Sequence, residues 1–399
     1  MLSLVSRLRL HPLDWIALGL LATGSACVLT GLLPSDDAWA VIQRIIPLLL
    51  FLASVIVLAE LTAAAEVFDV IATRIAILGR GSYFLLFLLC VGFASVTTMT
   101  LNLDTTAVLL TPVMLALARK VRIAPVPLAF TTVWLANTAS LLLPVSNLTN
   151  LLAQDRIGLD PVAFAQRMWF AQVVSIALTM VCLWLFFWRR SQRGVNNYQT
   201  PDPHRVPDRV LFAIAAASCV GFVVALLLAA VPLWVASASA AAVVLIAFAV
   251  RDRGAVRPAL LPWRLLVFVT GLFLVIETVG QHGLSDVMQT LMGTGNDLAA
   301  MYRAAVTGAG LSNLVNNLPA YVAGEAVVPD GNDNQLLALL VGTNVGPVIT
   351  PWASLATLLW YERCHAADVD VPVLRFVLTG TVLAVVGLAG TVAALALTG

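Results

Sequence analysis

The sequence predicts an all-α polytopic membrane protein with about 10–11 spanning segments, each some 20 residues long. Three observations predict it. Of 399 residues, 60% are hydrophobic and 11% charged, where a soluble domain carries roughly 45–50% and about 25%. The apolar runs match a helix across a bilayer and are about twice the length of a barrel strand. Polar breaks recur at corresponding places in the two halves, which predicts two inverted-topology repeats. The same arithmetic excludes a soluble enzyme, a disordered chain and a nucleic-acid-binding domain, since a net charge of +1 leaves no basic field for phosphates.

The predicted spans are 12–33, 41–60, 83–118, 124–152, 168–188, 210–230, 233–250, 265–280, 299–328, 335–361 and 374–398. Segments 83–118 and 299–328 exceed one ordinary helix and carry Asn-rich breaks. Each reads as a re-entrant helical hairpin that returns to the side it left. With that assumption, only Arg44, Arg156, Arg167 and Arg303 of the 22 basic residues fall on one side. The rest, including Arg7, Arg9 and the single lysine, Lys120, fall on the other. The positive-inside rule makes that side cytoplasmic. The expected location is therefore the cell inner (plasma) membrane, multi-pass, with the N-terminus cytoplasmic and the C-terminus outside. The two hairpins then enter from opposite faces.

The halves also resemble each other in sequence. PVSNLTNLL (144–152) reads against PWASLATLL (351–359), and Asn137 and Pro144 are spaced like Asn344 and Pro351. Phe51 pairs with Phe268, and Glu60 with Glu277. The expected organisation is a first repeat over 1–188, with hairpin 83–118 and broken helix 124–152. A polar, Arg- and Pro-rich cytoplasmic linker over 189–209 follows. The second repeat covers 210–399, with hairpin 299–328 and broken helix 335–361. Inverted repeats with broken helices near the midplane are the architecture of secondary transporters.

Chemistry is expected at the breaks, because non-helical backbone at membrane depth survives only where it lines a cavity or is buried in protein. Four stretches qualify: 97–112, 136–150, 308–320 and 342–354. Their candidate ligand-binding residues are Asn102, Thr105, Asn137, Ser146, Asn147, Thr149, Asn313, Asn316, Asn317, Asn344, Thr350 and Ser354. Asp104 is the acid among them. An intramembrane carboxylate is costly unless neutral, paired or hydrated, which makes Asp104 the proton-coupling candidate. The bland alternative is a helix cap. The stretches hold no lysine or arginine, so a neutral polyhydroxy solute, a Na⁺, or an anion held by helix N-termini all remain open.

Other features read more plainly. Glu60 and Glu277 are possible accessory acids or mere helix-end carboxylates. Arg303 reads as an anchor, and Glu66, Asp69, Arg74 and Arg80 as decoration of a surface helix. His282 and His365 read as solvated loop residues. Tryptophans near span ends, such as Trp15, Trp169 and Trp188, read as interface belts. Five scattered cysteines form no CxxC pair, so no metal site and no cofactor is expected. No HExxH or GxSxG motif appears, so the chain is not expected to be an enzyme.

NLDTTAVLLTPV (102–113), NTASLLLPVSNLTNL (137–151), GLSNLVNNLPA (310–320) and GTNVGPVITPWASLATLLW (342–360) carry a family resemblance. The chain resembles the ion transporter (IT) superfamily, and within it the ArsB-type arsenite/antimonite permeases, the arsenical pump membrane proteins. The resemblance runs through nearly all the spans. It implies a secondary active transporter that exports arsenite and antimonite, as neutral metalloid hydroxides, in exchange for protons by alternating access. It also implies a soluble ATPase and a second copy of the chain, as a homodimer, as possible partners. Carried over, Asp104 is the hairpin acid, and Asn102, Asn147, Thr149, Asn316, Asn317, Asn344 and Thr350 line the site. One departure is NLDTT at the first hairpin, where arsenite pumps often have NDG. The rival reading is a Na⁺-coupled or Na⁺/H⁺-exchanging permease for a small inorganic or organic anion.

Overall fold

The computed structural model describes residues 12–189, 198–228 and 231–398. Arg7, Arg9 and linker residues 190–197, which enter the orientation argument and the linker expectation, lie outside the described residues. Among the described residues the chain is all helix, with no strand. It is a polytopic membrane protein.

Two helices lead in, α1 (Pro12–Leu29) and α2 (Ser35–Ala64). A short turn at Ala65–Glu66, with Glu66 left-handed at φ 60°, starts α3 (Val67–Leu78). Asn102 alone separates α4 (Tyr83–Leu101) from α5 (Leu103–Val121). The next pair, α6 (Pro125–Thr138) and α7 (Leu148–Ile157), is split by a stretch whose one regular feature is the 3₁₀ turn Pro144–Ser146. Pro161 opens α8 (Pro161–Leu183), where its missing N–H is harmless, and Asp160 caps it by accepting from Val162 N and Ala163 N.

After the linker come α9 (Arg209–Leu228), α10 (Leu233–Arg251) and α11 (Trp263–Val279). A π turn, Gly280–Leu284, with Gly283 at φ 103°, precedes α12 (Ser285–Met292). Asn316 alone separates α13 (Leu298–Val315) from α14 (Asn317–Glu325). Residues 346–354, with Pro347 and Pro351, separate α15 (Asp333–Val345) from α16 (Leu355–Ala366), as proline's missing donor and ring clash require. The last helix is α17 (Val373–Ala396).

Every predicted span falls on a helix, or on two helices split by a polar break. Among the described residues, six helical stretches are long and apolar enough to cross a membrane: Ser35–Ala64, Tyr83–Thr100, Pro161–Trp188, Trp234–Arg251, Pro258–Leu284 and Val373–Ala396.

The chain forms two compact units that cut across the sequence halves. One takes the residues up to Leu61 together with Ser218–Leu284; the other takes Thr62–Ala217 and Ser285–Gly399. In the first unit, α1 packs along α11, and Arg44 Nη2 meets Glu277 Oε2 at 3.0 Å. In the second, α5 packs against α3, α6 and α16, while α13 packs on α15 and α8 on α17. Close approach there needs glycine. A Cβ on Gly342 would lie 2.2 Å from Ala305 O, and one on Gly380 1.9 Å from Val348 O.

An aromatic core fills the second unit. Phe130 stacks on Phe187 at 4.0 Å and meets Trp134, Trp360 and Phe376. Trp188 belongs here: it is fully buried and donates Nε1–H to Thr131 Oγ1 at 2.9 Å. That corrects its reading as an interface anchor, whereas Trp15 and Trp169 are exposed as expected. Arg303 donates to Leu291 O and Thr290 O. It caps the end of α12 while its side chain stays exposed.

Candidate functional site

All four polar breaks lie in the second unit, as do Asp104 and the twelve candidate ligand-binding residues. The accessory acids do not: Glu60 and Glu277 belong to the first unit, where Glu277 is held by Arg44.

Asn102 ends α4 and starts α5 at a positive φ of 96° with ψ 167°, a strained conformation that favours glycine. Its Oδ1 accepts from Thr105 N at 2.8 Å, and its carbonyl accepts from Thr106 Oγ1 at 2.7 Å. The cap is therefore Asn102 itself, which leaves Asp104 free of that duty. Asp104 Oδ1 is buried without a hydrogen-bond partner, and so is Thr105 Oγ1 one residue on.

The first broken helix joins the second through one asparagine knot. Asn344 Oδ1 accepts from Asn147 Nδ2 at 2.7 Å and from Thr149 Oγ1 at 3.0 Å. Its Nδ2 donates to Asn150 Oδ1 at 2.8 Å. Asn150 Nδ2 in turn donates to Ser140 O and Leu143 O, the carbonyls freed by the break. Ser146 donates to Met99 O at 3.0 Å, tying the same stretch to α4.

A second knot forms around Asn313. Its Nδ2 donates to Ala309 O and Gly346 O, and its Oδ1 accepts from Thr350 N at 2.9 Å. Thr350 Oγ1 and Trp352 Nε1 both donate to Asn313 O. Asn316 repeats the backbone break at φ 119°, but its Nδ2 donates to Trp352 O at 3.0 Å. Asn317 opens α14 and is buried. Ser354 caps α16 by accepting from Thr357 N at 3.1 Å.

Asn137 stands apart. It is fully buried, and its Nδ2 donates to Val133 O at 2.9 Å and Thr357 Oγ1 at 3.3 Å. Its Oδ1 has no partner. Thus most of the candidate amides and hydroxyls hold the broken backbone in place. The buried side-chain atoms left without partners among the candidates are Asp104 Oδ1, Thr105 Oγ1 and Asn137 Oδ1. All are oxygens, and a buried oxygen without a donor costs about 1–3 kcal/mol. A ligand that brings hydrogen-bond donors, or a cation, would satisfy them.

Sequence reasoning missed Asn150, Thr357 and Gln172. Gln172 Oε1 accepts from Leu141 N at 2.7 Å and Leu142 N at 3.1 Å, and its Nε2 donates to Thr138 O. It splints the α6 break from α8. The available signal was a lone glutamine in the middle of an apolar span.

Comparison with known proteins adds the following. Residues 4–332 match the citrate transporter family CitMHS. An Escherichia coli arsenical pump membrane protein is 30% identical over 344 residues, 80% of this chain and 78% of its own length. A putative arsenical pump membrane protein of Bacillus subtilis is 22% identical over 357 residues, 79% and 80% of the two chains. The solved Alcanivorax borkumensis YdaH transporter is 15% identical, with a TM-score of 0.49 over 96% of this chain and 97% of that one.

Proposed function

The chain belongs to the citrate transporter (CitMHS) family as an ArsB-type member of the ion transporter superfamily, and on that premise we propose that it exports arsenite and antimonite in exchange for protons. It is a multi-pass membrane transporter. The observation that carries the finer reading is the set of unpartnered buried oxygens, Asp104 Oδ1, Thr105 Oγ1 and Asn137 Oδ1, in stretches without lysine or arginine. A neutral metalloid trihydroxide presents O–H donors that suit such acceptors. A polycarboxylate would bring more acceptors and negative charge against Asp104, with no base in these stretches to offset either.

In this reading Asp104 carries the exchanged proton. Protonated, it needs no solute to satisfy it; ionised, it accepts from the solute's hydroxyls. Proton and solute thus compete for one carboxylate, which yields exchange under alternating access. The hairpins and broken helices move as the carrier, and the remaining spans serve as scaffold. The two repeats are inverted, and the N-terminus faces the cytoplasm of the inner membrane.

Proteoliposomes with an imposed pH gradient test this directly. Arsenite accumulation driven by the gradient without Na⁺ is the expected result. Movement of arsenite only with Na⁺ would transfer the same oxygens to a Na⁺ site. Na⁺-dependent uptake of an anion, with no arsenite movement, would overturn the substrate.

A further inference from the structure

The linker between the halves is docked from Tyr198 onward. Tyr198 is buried, its hydroxyl donates to Ala76 O at 3.0 Å, and its ring meets Tyr83 edge-on at 5.3 Å. The hydroxyl occupies the space a Cβ on Gly79 would need, 2.1 Å away. Six residues on, His204 sits between opposite charges. Its Nε2 lies 2.7 Å from Glu66 Oε2 and its Nδ1 3.0 Å from Lys120 Nζ. Lys120 Nζ lies 3.6 Å from Asp69 Oδ1. Asp208 then caps α9 by accepting from Val210 N and Leu211 N.

The proton inventory of this cluster has one solution. An ammonium only donates and a carboxylate only accepts. His204 must therefore accept at Nδ1 from Lys120 and donate Nε2–H to Glu66, which is one neutral tautomer. A second proton on Nδ1 would set an N–H against the Lys120 ammonium, with like charges about 3 Å apart. Glu66 from the α2–α3 turn, Lys120 from the last turn of α5 and Asp69 from the first turn of α3 are the charged groups facing the ring and its partner. Asp69 offers the displaced ammonium another place to go.

We propose that residues 198–208 are a proton-released strap: neutral His204 fastens the linker to the base of the α4–α5 hairpin, and protonation of its Nδ1 breaks the Lys120 contact and loosens it. The strap ends at α9, the helix along which the chain passes from the second unit, at Ala217, into the first, at Ser218. It thus connects the helix carrying Asp104 to a crossing between units. Acid on this face would free α5, while neutral conditions hold it. The inference does not depend on what the protein carries.

The test is hydrogen–deuterium exchange of the full-length protein in nanodiscs at pH 8 and pH 5.5. Exchange is corrected for its intrinsic pH dependence and read in the first turn of α3, the last turn of α5 and residues 198–211. In the wild type, corrected exchange in the last turn of α5 should rise about tenfold on acidification, the effect of losing the charge-assisted Lys120 hydrogen bond, while the first turn of α3 stays held by Glu66. His204→Gln keeps a donor and an acceptor but takes no proton, so it should stay protected at both values. Lys120→Met removes the repelled charge while the imidazolium keeps Glu66, so its protection should hold or increase at pH 5.5. Equal exchange at both pH values in the wild type would overturn the proposal. So would a Lys120→Met protein that loosens on acidification as the wild type does. Should His204→Gln lose protection already at pH 8, Lys120→Met decides the matter alone.

Discussion

Asn102 and Asn316 are each the single residue between two helices, and each holds a positive φ, 96° and 119°. The backbones agree; the side chains do not. Asn102 turns its oxygen back to cap its own helix through Thr105 N. Asn316 gives its amide to Trp352 O in the neighbouring broken segment. The first break leaves Asp104 Oδ1 and Thr105 Oγ1 without partners. Around the second, Asn313 and Thr350 bond each other and the freed backbone. The same break thus serves two ends, one end holding unfilled oxygens and the other fixing the frame. Two breaks alike in backbone need not be alike in chemistry.

The largest way to break this contrast is Asp104→Asn, which removes the only carboxylate in the four stretches. Proton-driven arsenite accumulation in proteoliposomes should fall to the protein-free background, while folding, followed by size-exclusion profile, stays intact. Transport at the wild-type rate would return the proton to another group.

Next is Asn344→Leu. It strips partners from Asn147, Thr149 and Asn150 at once, and each buried polar group left unmade costs roughly 1–3 kcal/mol. A large fall in thermal stability in detergent is expected, and an unchanged Tm would mean that water replaces the knot.

Glycine at each break sharpens the comparison. It relieves the positive φ at both places. Asn102→Gly loses only a cap, for which glycine substitutes at a few tenths of a kcal/mol. Asn316→Gly leaves Trp352 O without its donor and should be the less stable of the two by about 1 kcal/mol. Matched denaturation curves that rank them the other way would reverse the assignment of cap and brace. The smallest effect belongs to Glu277→Gln. Its partner Arg44 is 59% exposed, and such pairs contribute at most about 1 kcal/mol, so transport within about twofold of wild type is expected. A loss of coupling would make Glu277 an accessory acid.

Much of the fold was legible in the sequence because the bilayer restricts the options. Apolar length gives the spans, and glycine, proline and asparagine in mid-span give the breaks. What the individual asparagines do was not legible. Asn137, Asn313 and Asn344 look alike in sequence, but whether an amide is spent or free depends on partners far along the chain. Asn344, for example, meets residues 194 to 197 positions away. Gln172 was passed over and Trp188 misread as an interface anchor for the same reason, since each is defined by what packs against it. Nor did the linear halves announce the units, because each half feeds both.

The Asn344 knot also bears on how the chain is made. Its partners Asn147, Thr149 and Asn150 are synthesised almost two hundred residues earlier. At roughly 5–20 residues per second, they wait about 10–40 s for it. During that interval the first broken helix sits in the membrane with several polar groups unanswered. Nascent chains paused before Asn344 should therefore be sensitive to intramembrane quality control, and release past it should confer resistance in one step.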